Sequence, residues 1–99
     1  MSVKFPKPET YRSEAYLKFV SSLPCVISGN PGPNDPHHAG EGSRGMGLKA
    51  DDLTAIPLAH KYHQEIHAIG RRSFEEKYHV NLWELIAKTQ AEYIRETGL

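Results

Sequence analysis

Five of the chain's six histidines fall between residues 37 and 67, in HHAGEGSRGMGLKADDLTAIPLAHKYHQEIH. Placed on a helical wheel at about 100° per residue, residues 58–69 put Leu58, Tyr62, Ile66 and Ile69 on one narrow apolar stripe. His60, His63 and His67 gather on a separate sector, roughly 100° or more around. His63 and His67 are four positions apart, so on a helix they stack on one face and can share a metal ion. Such a pair alone is most simply a solvated face. The upstream pair His37–His38 adds to it, because adjacent residues in an extended segment point to opposite sides. One imidazole can then join the metal while its neighbour faces a reacting water. Three protein ligands leave open coordination positions, and a neutral imidazole with an ordinary pKa near 6.5 can take a proton at neutral pH.

The elements that must hold these residues are short. Residues 1–12 carry two prolines and little periodicity, and read as an extended arm. SEAYLKFVSSL, residues 13–23, places Tyr16, Phe19, Val20 and Leu23 at i, i+3, i+4 and i+7 behind Ser13 as a candidate N-cap, and Pro24 ends that helix. CVISGNPGPNDPHH suits a strand fragment with tight turns. The Gly-rich GEGSRGMG is a loop, and DLTAI is a second strand that should stop at Pro57. The fixed φ of Pro57 suits the first turn of a helix over residues 58–69, with Gly70 as its C-cap. RRSFEEKYH and NLWELIAKTQAEYIRETGL form C-terminal helices within residues 71–97. Asn81 and Glu84 make a capping-box-like start to the second, and Leu82, Leu85 and Ile86 with Trp83, Ala87 and Ile94 supply a broad apolar face ended by Gly98.

Ninety-nine residues are enough for one modest core, so a single α+β domain is expected. Twelve basic and twelve acidic residues cancel, so nucleic-acid binding must be local rather than a property of net charge. Cys25 is the sole cysteine, which excludes an intrachain disulfide and a zinc site built from several thiolates. It reads as a small buried hydrophobe. No apolar run approaches the roughly 18 residues of a membrane span, and the N-terminus lacks a signal peptide's apolar stretch, so the chain reads as soluble and cytoplasmic.

His37-His38, Asp52 fourteen positions later and His63-x3-His67 together resemble the HNH endonuclease motif with its ββα-metal finger. Residues 12–80 are similar to small phage and prophage HNH nucleases, including the catalytic domain of the recombination-enhancement nuclease type. The resemblance implies a finger over residues 25–69, a two-stranded antiparallel hairpin plus a metal-binding helix, packed with N- and C-terminal helices. It assigns His37, His63 and His67 as ligands of one divalent ion and His38 as general base. Asp52 stands at the family's middle Asn, which pins the loop between the strands. Many relatives add two C-x-x-C knuckles for a structural zinc. Here the matching positions are Cys25, Ser28, Ala59 and Tyr62, so no structural zinc is expected.

The resemblance implies hydrolysis of DNA phosphodiester bonds with low sequence specificity, leaving a 5′-phosphate and a 3′-hydroxyl. The imidazole set suits zinc, nickel, cobalt or manganese, and magnesium serves many relatives. Arg44, Lys49, Lys61, Arg71 and Arg72 are candidate phosphate contacts, each singly also readable as a solvated charge. His60 and His79 are expected to do no chemistry. A phage or host recombination protein is a candidate partner, with no membrane involved, and the protein as monomer or homodimer. Two other readings stay open: a DNA-binding accessory protein with the same fold and no cleavage, and a metal store unrelated to nucleic acid.

Overall fold

The computed structural model describes residues 12–40 and 51–98. In chain order these form α1 (Glu14–Ser22), β1 (Asp35–His38), a single 3₁₀ turn (Asp52–Thr54), β2 (Ala55–Leu58), α2 (His60–Ile69), α3 (Arg71–Tyr78) and α4 (Leu82–Thr97). The architecture is α+β: four helices around one antiparallel two-stranded sheet among the described residues. Most of residues 1–12, and residues 41–50 with most of the Gly-rich loop, lie outside them.

α1 starts where expected, with the Ser13 hydroxyl accepting from the Tyr16 N–H at 3.1 Å. It ends at Leu23, whose extended conformation (φ −81°, ψ 156°) is the one that a following proline enforces. Tyr16 and Val20 are buried against Ala55, with Leu17, Leu53 and Tyr93 packed around them.

The sheet pairs Asp35 with Leu58, Pro36 with Pro57, His37 with Ile56 and His38 with Ala55. Antiparallel partners alternate between exchanging both hydrogen bonds and exchanging none. Two facing prolines, neither with an N–H, fit only the second kind of position. The Pro57 carbonyl therefore turns outward, where it accepts from the Val26 N–H at 3.0 Å. This corrects the expectation that the strand stops at Pro57 and that a helix begins at residue 58. Pro57 costs the ladder nothing there, so β2 continues through fully buried Leu58 and α2 begins at His60. The apolar stripe read over residues 58–69 changes accordingly. Leu58 belongs to the strand, Ile66 is buried, Tyr62 is half-buried and Ile69 is exposed.

The apolar run at Cys25–Ile27 is likewise not a strand. It turns, with the Gly29 N–H donating to the Cys25 carbonyl at 2.8 Å and the Cys25 N–H to Asn30 at 2.9 Å. Cys25 is buried in the main core with Ala39, Ile56, Leu58, Ile66, Phe74, Leu82 and Ile86.

Buried Asn34 ties this turn to β1. Its amide nitrogen donates to the Leu23 carbonyl at 2.7 Å and to Asn30 at 3.1 Å, while its backbone N–H donates to Ser21 at 2.8 Å. Asn34→Ala takes this donor from the Leu23 and Asn30 carbonyls, the latter keeping its bond from Cys25, and should cost about 1 kcal/mol, measured by urea denaturation.

Gly70, at φ +86°, closes α2 and opens α3: its N–H donates to Ile66 and its carbonyl accepts from Phe74. Asn81 caps α4 by accepting from the Glu84 N–H at 3.1 Å, and Gly98 ends it at φ +73°. The buried face of α4 is Leu82, Ile86 and Thr89. Trp83 and Ile94 are 49% and 51% exposed, so the expected broad apolar face is narrower than their residue types suggest. At about 100° per residue Trp83 stands well off the line through Leu82, Ile86 and Thr89. Among the described residues no helix is long and apolar enough to cross a membrane.

Candidate metal centre

β1 and α2 bring three imidazoles together. His37 comes from the strand and is 7% exposed, and His63 and His67 come from successive turns of α2. One nitrogen from each lies within 4.8 Å of the others. The three rings form a triangle with centroids 5.1 Å, 5.2 Å and 4.9 Å apart. Imidazole nitrogens bind zinc at about 2.0–2.1 Å, so three around one ion sit roughly 3.4 Å from one another. The donors are of the kind that borderline metals prefer.

His60 shares the polar side of α2 but not the triangle. Its Nδ1 lies 2.8 Å from Asp35 Oδ2, and the same oxygen lies 3.0 Å from His63 Nδ1. The bonds from His60 and then His63 hold the Asp35 carboxyl below its ordinary range. With Nδ1 occupied, His63 has Nε2 left for the centre. Asp35 was missed in the sequence, although a signal was there: it precedes His37 by two, and residues i and i+2 of a strand share a face.

Burial, then the neighbouring charges of His63, His67, His38 and Arg71, push the His37 pKa down to about 4 from 6.5. His37 is thus neutral at pH 7, with a lone pair free to bind a cation. Its sign in stability is fixed: as pH falls from 6.5 the unfolded chain protonates His37 first, and the folded chain resists until about 4. The metal-free fold should therefore lose up to about 3 kcal/mol across that window. His37→Gln should flatten the loss, as read by denaturant midpoints at several pH values.

His38 points to the other side of β1. Its Nε2 lies 2.8 Å from Asp52 Oδ1, and its side chain is 28% exposed. Among the described residues the buried Asp52 carboxylate also accepts from the Ser13 N–H at 2.7 Å and from Arg12 at 3.2 Å. Burial acts to raise its pKa, but the bonds from His38, Ser13 and Arg12 outweigh that and hold it below the ordinary carboxylate value. Asp52 thus contacts His38 and the start of α1 directly, while most of the loop it was expected to pin lies outside the described residues. A charged Asp52 keeps the proton on Nε2 and leaves the Nδ1 lone pair of His38 to accept another.

The basic residues divide. The Arg71 guanidinium donates to the Ala39 carbonyl at 2.6 Å, one residue beyond His38, and lies 5.7 Å from the Trp83 ring centre. Arg72 is exposed and 3.7 Å from Glu76. Lys61 lies over the Tyr62 ring at 4.9 Å. Arg44 and Lys49 fall outside the described residues. His79 is the left-handed C-cap of α3 and joins no site. Cys25 and Ala59, read as two of the four knuckle positions, do meet: the Ala59 N–H points at Cys25 Sγ at 3.3 Å. Tyr62, at another of them, packs its ring against Tyr78 at 5.5 Å.

A family model described as "Protein of unknown function (DUF968)" matches residues 1–94. The "Uncharacterized protein YdfU" of Escherichia coli (strain K12) is 44% identical over 77 residues, which are 77% of this chain and 22% of that protein. The chain thus spans about a fifth of the length of that relative. No solved structure matches it significantly. With the match running through the strand of His37 and the helix of His63 and His67, the chain belongs to the DUF968 family.

Proposed function

We propose that this protein is a metal-dependent DNA endonuclease of the HNH type, its β1, β2 and α2 forming a ββα-metal finger. One observation carries the reading: His37, His63 and His67 converge on one point while His38, the next residue along the strand, is held by Asp52 on the other side. Three ligands and one separate base are what phosphodiester hydrolysis on a single ion needs.

A divalent ion held by the three imidazoles would supply Lewis-acid stabilisation of the charge that develops on phosphate oxygens in the transition state. The remaining steps belong to the chain. His38 Nδ1 takes the proton of the attacking water. Nε2–H, donated to Asp52, fixes the tautomer that makes this possible, and the carboxylate stabilises the imidazolium that results. Ser13 holds the other carboxylate oxygen, and Arg12 shares Oδ1 with His38. Arg71, bonded to the Ala39 carbonyl, steadies the backbone next to the base. Low sequence specificity is expected where binding rests on phosphate contacts.

The test is nicking of supercoiled plasmid by metal-stripped protein to which magnesium, manganese, nickel or zinc is returned. Nicking that needs the ion and stops with a chelator supports the reading. Metal and DNA binding with no cleavage under any ion would replace it with a non-cleaving DNA-binding module.

A further inference from the structure

We infer that Asp35 is the positioning residue of the metal centre, setting which nitrogen His63 presents to the ion. The inference rests on the three-imidazole reading and deepens it. The Asp35 side chain is 37% exposed, yet one oxygen lies 3.0 Å from His63 Nδ1 and 2.8 Å from His60 Nδ1. A carboxylate offers no proton, so each ring nitrogen facing it carries the hydrogen and donates. His63 is thereby locked as the Nδ1–H tautomer, which leaves the bare Nε2 as its donor atom for the centre. A carboxylate behind a ligating imidazole fixes the ring's rotation and raises the basicity of its outward nitrogen.

The location of Asp35 serves this role. It lies on β1 two residues before His37, so a single strand face supplies one ligand and the support for another. Its backbone is held in the sheet opposite Leu58, which keeps the carboxylate in place whatever α2 does. His60 is a second donor to the same oxygen, 74% exposed, and outside the cluster of candidate ligands. It competes with His63 for Asp35 rather than contributing to the ion.

The experiment titrates zinc and nickel into metal-free wild type, Asp35→Asn, Asp35→Ala and His60→Ala, with long-range ¹⁵N–¹H correlation spectra of the histidine rings before metal is added. Asp35→Ala should weaken metal binding about 10- to 100-fold and release His63 from the Nδ1–H tautomer. Asp35→Asn, which keeps an acceptor oxygen and the shape, should hold the tautomer and lose less affinity. It also carries the test if the alanine variant fails to fold. His60→Ala should bind at least as tightly as wild type. Wild-type affinity and an unchanged His63 tautomer in both Asp35 variants would overturn the inference while leaving the centre intact. So would a loss in His60→Ala as large as that in Asp35→Ala, since Asp35 would then act through His60. Absence of metal binding by wild type would overturn the centre and the inference together.

Discussion

His38→Ala is expected to slow plasmid nicking by about 10²- to 10⁴-fold, the usual worth of a positioned general base, while the protein still binds one divalent ion. The split follows from strand geometry. His37 and His38 are neighbours on β1, so their rings leave the strand on opposite sides. His37 turns into the triangle with His63 and His67, and His38 turns to Asp52. Truncating a partly exposed ring that is no ligand removes the proton acceptor and leaves the centre whole. Asp52→Asn should give a smaller loss, because an amide can hold the ring but cannot offset the charge of the imidazolium. Nicking by His38→Ala at the wild-type rate would assign the base elsewhere. Loss of metal binding in that variant would make His38 a ligand.

His67→Ala is the second large effect. His67 is exposed, and substitutions at such positions change stability by only about 0.5 kcal/mol. A fold that melts as before should nevertheless lose metal affinity by more than the roughly 10- to 100-fold that removal of an outer partner costs, and lose nicking with it. Calorimetric metal titration beside a thermal melt separates the two quantities. A variant that keeps both metal and activity would remove His67 from the centre.

How much of this was legible beforehand depends on the range of each interaction. The i, i+4 pair His63 and His67, the Ser13 and Asn81 caps, and the Gly70 and Gly98 stops are encoded within a turn of the residues that show them, and all appear where the spacing places them. The β2–α2 boundary did not, because Pro57 reads locally as a helix starter. What makes it a strand residue is Pro36, twenty-one positions away and directly opposite. Trp83 and Ile94 misled in the same way, since their residue types say core and only the packing of α4 decides which face turns inward. Within the site, spacing pointed to His63 and His67 with one ring of the His37–His38 pair, and the family resemblance chose His37. Asp52 was marked by that resemblance too, but its contacts with His38, Arg12 and Ser13 were not, nor was Asp35 with His60 and His63, each pair meeting across a gap that only the tertiary fold closes.

The central claim is one ion bound by three imidazoles, and X-ray absorption at the metal edge of the zinc-loaded protein tests it most directly. One equivalent of zinc with three imidazole nitrogens at about 2.0–2.1 Å, completed by oxygen, is the expected result. A shell of oxygens with no more than one imidazole, or a sulfur from Cys25, would contradict the centre built on His37, His63 and His67.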